Sequence, residues 1–368
     1  MPHFPATARG RAAAMAALAA TALALAACSS SSNSSSAAAA TSSAPAASTS
    51  AAASASASAS ASASTAAKKV NIAYLSFAVN NSYDAPMLAA AQAVAQAEGA
   101  TLKVFDANNS PQTQYQELQT VISSGQYNGI ITQPIEGTGL LTLVKQAIAK
   151  GIKVVNMDQI LGPNLGTDAP QVTGLSANVT FVPTEIGTKM GQLTVQACAA
   201  KKLSPCKVGY LYDIKASALD TAISGAFDAA VKGSPVQVVT TGQSFFTPTI
   251  GLTAVQTMLQ AQPSLNVIVG SDQGMEGAMT AFTTGHITKV MLVGYGASAA
   301  AVAGVESGAI YADVAQAPAS EGRLAVEALI KAVQQGTVSG AIDPVAGFPD
   351  QGVVTKADAK QFTPEWNG

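Results

Sequence analysis

The sequence predicts an α/β chain folded as two doubly wound parallel-sheet lobes, and three observations carry that expectation. The stretch 69–99, KVNIAYLSFAVNNSYDAPMLAAAQAVAQAEG, reads as a strand, a polar loop and a helix. The same unit recurs along the chain at similar length, which implies parallel sheets with helices on both faces. The rhythm pauses at a turn-rich loop, 162–170, and then restarts, so a second sheet follows the first.

In the first unit, Val70, Ile72, Tyr74, Leu75 and Phe77 form an apolar run suited to a buried strand. Asp84 is a good helix cap, Pro86 suits a first turn, and Gly99 suits a helix end. A strand follows at 101–106. The helix at 111–124 puts Tyr115, Leu118, Val121 and Ile122 on one face. Next come a strand at 127–132, a helix at 137–150, and a strand at 153–157 that runs into Asp158 and Gln159. The segment 172–178 is expected to cross to the second lobe. There, helices are expected at 180–200, 218–232, 249–262, 275–284, 299–307 and 321–335. Strands are expected at 207–212, 236–241, 266–270, 290–294 and 310–316, with a final extended segment at 345–355. Open parallel sheets bind ligands outside the carboxyl ends of their strands, so two such sheets imply a cleft for a small molecule.

Composition narrows the function. The net charge is −2 with no basic patch, which argues against nucleic acid. Two histidines, His3 and His286, cannot build a histidine metal site. There is no G-x-S-x-G elbow, no H-E-x-x-H and no phosphate-binding loop, so the chain does not read as an enzyme, and no cofactor is implied. Residues 1–27 place Arg9 and Arg11 before an apolar stretch, the layout of an export signal, and end in Leu25-Ala26-Ala27-Cys28. That ending resembles the lipobox of bacterial lipoproteins, which implies lipidation of Cys28 and anchoring on the outer face of the cell membrane. Residues 28–67 are almost entirely Ser, Ala and Thr; they cannot bury a core and read as a disordered tether.

The segment 121–159, VISSGQYNGIITQPIEGTGLLTLVKQAIAKGIKVVNMDQ, is similar to the first lobe of periplasmic sugar-binding proteins of the ribose-binding type. Further matches come in the family's order: Asn80-Asn81-Ser82-Tyr83, then 225–231 (GAFDAAV), 269–277 (VGSDQGMEG), 293–297 (VGYGA) and 313–318 (DVAQAP). The resemblance covers residues 70 to about 355. It implies the type I periplasmic binding protein fold, with a three-segment hinge near 175–178, 315–318 and 344–347. The first lobe is then 70–175 plus 317–344, and the second 176–316 plus 345–368. It further implies a monomer that closes on one sugar or polyol and delivers it to an ABC permease. A membrane sensor served by the same fold is the alternative partner.

Sugar recognition needs carboxylates and amides for the hydroxyls, and aromatic faces for the C–H surface. Matched residue by residue, the candidates are Asn81 and Tyr83 in the first loop and Asp158 and Gln159 after a first-lobe strand. Phe246, Asp272, Tyr295 and Gln316 are the second-lobe and hinge candidates. Gln159 stands where pyranose binders usually carry Arg, Asp220 or Thr221 where they carry a second Arg, and Gly296 where they carry Asp. Losing two guanidinium forks argues for a changed, neutral ligand and against an anion. Cys198 and Cys206, eight apart in an exported chain, are expected to form a local disulfide, with two free thiols as the alternative. Trp366, the only tryptophan, stands at the end of the sequence and is expected to miss closure of the lobes.

Overall fold

Strand β1 (Asn71–Ser76) lies inside a six-stranded sheet, and every residue after Asn71 is buried. Its alternation divides the core. Ile72 and Tyr74 face a cluster with Met87, Ala91, Val326 and Leu329. Ala73 and Leu75 face the opposite cluster with Leu118, Val121 and Val144. A strand covered on both faces needs helices on both faces, and the chain supplies them. The computed structural model describes residues 68–368, so the expected leader at 1–27, Cys28 and the tether at 28–67 lie outside the described residues.

The first sheet also contains β2 (Thr101–Asp106), β3 (Gly129–Thr132), β4 (Lys153–Asp158), β5 (Ala177–Thr180) and β11 (Gly340–Ile342), in the order β11-β5-β4-β3-β1-β2, all parallel. Helices α1 (Asp84–Ala97) and α9 (Pro318–Gln335) cover one face. Helices α2 (Pro111–Ser124) and α3 (Leu141–Ala149) cover the other. The second sheet has β6 (Cys206–Tyr212), β7 (Val236–Gln243), β8 (Val267–Ser271), β9 (Met291–Gly296), β10 (Ala312–Ala315) and β12 (Val353–Thr355), in the order β12-β10-β9-β8-β6-β7. Of these, only β12 runs antiparallel. Here α4 (Pro183–Ala200) and α5 (Ala218–Val231) cover one face. Helices α6 (Pro248–Ala261), α7 (Asp272–Gly285) and α8 (Ala299–Ser307) cover the other. Both lobes therefore repeat one strand order, with a topological switch beside β1 in the first and beside β6 in the second.

Two helix pairs use the same device. A Cβ on Gly322 of α9 would run into the carbonyl oxygen of Met87 on α1, and a Cβ on Gly187 of α4 into that of Ile223 on α5. Glycine lets each pair approach to backbone contact. The sulfurs of Cys198 and Cys206 are bonded, 2.09 Å apart, tying the end of α4 to the start of β6.

Three expectations change. The sequence places the first crossing at 175–178, but β5 pairs with β4 in the first sheet, so 176–180 belong to that lobe and the chain leaves after Thr180. Strand β11, which pairs with β5, is not foreseen; at three residues it carries no pattern of its own. The final extended segment is a strand only over Val353–Thr355, preceded by a short 3-10 turn at Pro349–Gly352. The chain thus crosses after Thr180, again between Ala315 and Pro318, and finally between Ile342 and Val353. The first two departures leave from strand carboxyl ends, which turns the carboxyl edges of both sheets toward one another.

Candidate functional site

In the first lobe the switch-point loops converge on a buried polar layer. Asp158 ends β4 with φ +61, a left-handed conformation that a non-glycine residue holds only where its surroundings impose it. Its carboxylate is 4% exposed and accepts from Gln133 Nε2 at 3.0 Å and from Gln159 Nε2 at 3.4 Å. Gln133, directly after β3, also donates to Asp84 Oδ1 at 2.5 Å, and its Oε1 accepts the N–H of Phe77 at 2.9 Å. One buried amide thus joins the ends of β1, β3 and β4. Gln114 of α2 locks it from below, donating to the Gln133 carbonyl at 2.8 Å.

Asp84 is the first helical residue of α1 rather than its cap. Asn81 does the capping: its Oδ1 accepts from the N–H groups of Tyr83 (2.9 Å) and Asp84 (2.6 Å), and its Nδ2 donates to the Asp84 carboxylate. That leaves Asn81 one free amide hydrogen. Tyr83 is half-buried and donates its hydroxyl to Glu321 Oε1 of α9 at 3.2 Å. Glu321 is fully buried; its Oε2 and the Tyr74 hydroxyl have no partner among the described residues. Burial pushes the Asp84 carboxyl up to about 8, helped by the charge of Asp158. Burial pushes Asp158 up to about 6 against the lowering effect of its two amide donors. Glu321 is raised by burial and then by Asp158. The two described ion pairs, Arg323–Glu327 and Lys360–Glu306, lie on the surface, so among the described residues no cation balances these acids.

In the second lobe the hub is Asp213, just after β6. It accepts hydroxyls from Ser244 (2.5 Å), Ser271 (2.6 Å) and Tyr295 (2.7 Å). Burial, and then the nearby charge of Asp220, push it up to about 6. Tyr295 is therefore a core residue that points to Asp213 and packs among Tyr210, Phe227 and Val293. Ser271, not Asp272, caps α7. Asp272 is 2% exposed and accepts the N–H of Ser298 at 2.6 Å. Its Oδ1 and Asp313 Oδ2 have no hydrogen-bond partner among the described residues, and both crowd the side of Gly294 where a Cβ would stand. Burial, and then the charge of Asp272, push Asp313 well above the usual carboxylate range, and burial raises Asp272 as well.

Of the sequence candidates, Tyr83, Asp158 and Gln159 come together in the first lobe, and Asp272 and Gln316 stand at the second-lobe strand ends. Gln316 is 7% exposed; its N–H donates to the Gly296 carbonyl at 3.2 Å, and its side chain bonds no described residue. Phe246 stands after the carboxyl end of a second-lobe strand as well. It follows β7, the edge strand, and both Phe245 and Phe246 adopt left-handed backbone, at φ +51 each. Adjacent aromatics suggest that one faces the core, yet Phe245 is 49% exposed and Phe246 half-buried.

Trp366 overturns its expectation most clearly. It is 5% exposed, its Nε1 donates to the Gly296 carbonyl at 2.9 Å, and its ring meets Tyr83 edge-to-face at 5.3 Å. It therefore lies between the lobes. Sequence reasoning misses Gln133, Asp213, Glu321 and Trp366 as site residues. Gln133-Pro134 directly after the Ile130-Ile131 strand is the one available signal.

A family model described as periplasmic binding protein domain matches residues 72–337. The ribose import binding protein of Bacillus subtilis (strain 168) is 25% identical over 252 residues, covering 68% of this chain and 77% of that protein. The D-allose-binding periplasmic protein of Escherichia coli (strain K12) is 25% identical over 248 residues, 65% of this chain and 77% of that protein. Among solved structures, an ABC transporter solute binding protein from Mycobacterium smegmatis with bound glycerol superposes with a TM-score of 0.67 at 24% identity, covering 82% of this chain and all of that one. The Caulobacter myo-inositol binding protein superposes with a TM-score of 0.67 at 18% identity, covering 80% of this chain and 95% of that one. With the matched span running through both lobes, the chain belongs to the periplasmic binding protein domain family.

Proposed function

We propose that this chain is an extracytoplasmic binding protein, not an enzyme, that captures a small neutral sugar or polyol between its lobes and delivers it to an ABC importer. The observation that carries the reading is Asp158. It is a buried carboxylate at the end of a central strand, in left-handed backbone and held by two amides, with no cation beside it among the described residues. Such a group is poised to accept ligand hydroxyls, and a site without cations does not suit an anion. Relatives named for ribose and allose, and a fold shared with structures holding glycerol and myo-inositol, support a polyhydroxylated ligand. The protein acts as a monomer, and lipidation of Cys28 holds it to the membrane through the Ser/Ala-rich tether.

Thermal unfolding against monosaccharides, polyols, nucleosides and amino acids tests the reading. A ligand at a hundred times its Kd adds about 2.7 kcal/mol. Stabilisation by a sugar or polyol, lost in Asp158→Ala, is the expected result. Stabilisation by amino acids or nucleosides alone refutes it. Release of the protein from membranes by Cys28→Ala checks the anchor.

A further inference from the structure

Three consecutive residues near the end of the sequence grip both lobes. Glu365 accepts two hydrogen bonds from Ser320 in the first turn of α9, from its N–H at 2.7 Å and its hydroxyl at 2.6 Å. Helix α9 belongs to the first lobe. Trp366 and Asn367 present their carbonyls to the second lobe, accepting from Ala299 N–H at 2.9 Å and Ala300 N–H at 3.2 Å in the first turn of α8. Between these anchors the Trp366 indole reaches Tyr83 on one side and Gly296 on the other.

The indole also fills a space that another residue would otherwise take. Gly296 ends β9 with φ +141, and a Cβ built there would lie 2.7 Å from Trp366 Cζ2 and 2.8 Å from Asp272 Cγ. No side chain fits at 296 while Trp366 is in place. The single polar atom of the indole is spent on the Gly296 carbonyl, so what remains is apolar ring surface beside Tyr83 and Asp272. That is the surface needed to pack the C–H face of a sugar or polyol.

We propose that Trp366 is a ligand-contacting wall of the cleft, and that residues 365–367 form a strap joining the lobes when they close. The proposal rests on the sugar-binding reading above for its ligand, but not for its strap. Moving the lobes apart sets the Ser320 and Tyr83 contacts against those to Gly296, Ala299 and Ala300. The strap therefore favours the closed state, and the only tryptophan reports closure directly.

The test uses the full chain. Any sugar or polyol that raises the unfolding temperature is expected to change Trp366 emission. Trp366→Ala is expected to weaken that ligand about tenfold or more, and Trp366→Phe to restore most of the loss. Without ligand, acrylamide is expected to quench wild-type Trp366 poorly, and Glu365→Ala to raise quenching severalfold. A stabilising sugar that leaves the emission unchanged and binds Trp366→Ala as tightly as wild type overturns the wall. Free quenching in the wild type, unchanged by Glu365→Ala, overturns the strap. If no sugar or polyol stabilises the protein, the sugar reading and the wall both fall, and quenching still decides the strap.

Discussion

Replacing Asp313 by asparagine should flatten the dependence of stability on pH. Asp313 and Asp272 are both buried, and their otherwise unpartnered oxygens flank the same glycine, so the folded pair needs one proton between them. An unfolded aspartate releases its proton near pH 3.9. Above that pH the folded state holds a proton that the unfolded chain has lost, so the pair's contribution is complete in acid and falls as pH rises toward the raised folded value. The loss is on the order of 1 kcal/mol for each pH unit in which the folded pair holds that proton and the unfolded chain does not. The introduced amide would donate an N–H to Asp272 with no proton to lose, and its carbonyl would keep the bond from Ala297 N–H, 3.1 Å long in the wild type. Asp84, Asp158, Asp213 and Glu321 are also raised, so the wild type should slope more steeply than one proton requires. Only the difference between the two proteins isolates the pair. Urea unfolding followed by circular dichroism at pH 5, 6, 7 and 8 measures it. The Asp313→Asn protein should lose stability less steeply as pH rises, by on the order of 1 kcal/mol per pH unit where the wild-type pair still holds its proton. Parallel profiles would refute the shared proton.

Replacing Cys198 and Cys206 by Ser should lower stability by about 2–3 kcal/mol, from the loop entropy of a closure this short, and should abolish the effect of reductant on the urea midpoint. Gly296→Ala should cost about 1–3 kcal/mol in thermal or urea unfolding, through positive φ and crowding against Trp366, and should expose the indole to quencher. Gly322→Ala should separate α9 from α1 and destabilise the protein by at least as much, whereas Gly225→Ala, with open space around it, should be neutral or stabilising in the same assay.

Where pattern is local, the sequence is readable. The apolar runs of β1, β3, β4 and β8 and the faces of the long helices state their roles directly. Strands β5 (ANVT) and β11 (GAI) do not, because segments of three or four residues carry no period of their own and become strands only when a neighbour offers its edge. The candidate site divides in the same way. Asp158 is legible because it ends a buried strand. Gln133, Asp213 and Glu321 are not, since their partners are far away: Glu321 meets Tyr83 across 238 residues, and Asp213 meets Tyr295 across 82. Asn81 and Asp84 show the limit within one turn. Either could cap α1, and the choice turns on Gln133, which takes the carboxylate of Asp84.

The chain's three crossings have a consequence for the order in which it folds. The second lobe is continuous from α4 to β10 and lacks only the edge strand β12 and the closing segment that adds Ala359 and Phe362 to its core. The first lobe starts earlier but cannot finish: α9, which packs against α1 and covers β3, β4 and β5, and the edge strand β11 arrive only after residue 317. Until then Val155 and Val179 lack the cover that α9 gives them on that face. Returning α9 to α1 also closes a loop of more than two hundred residues, an entropic penalty that a contiguous lobe avoids. A chain growing from its first residue should therefore complete the later lobe before the earlier one. Pulse-labelled hydrogen exchange during refolding would show β6, β8 and β9 protected ahead of β1 and β4.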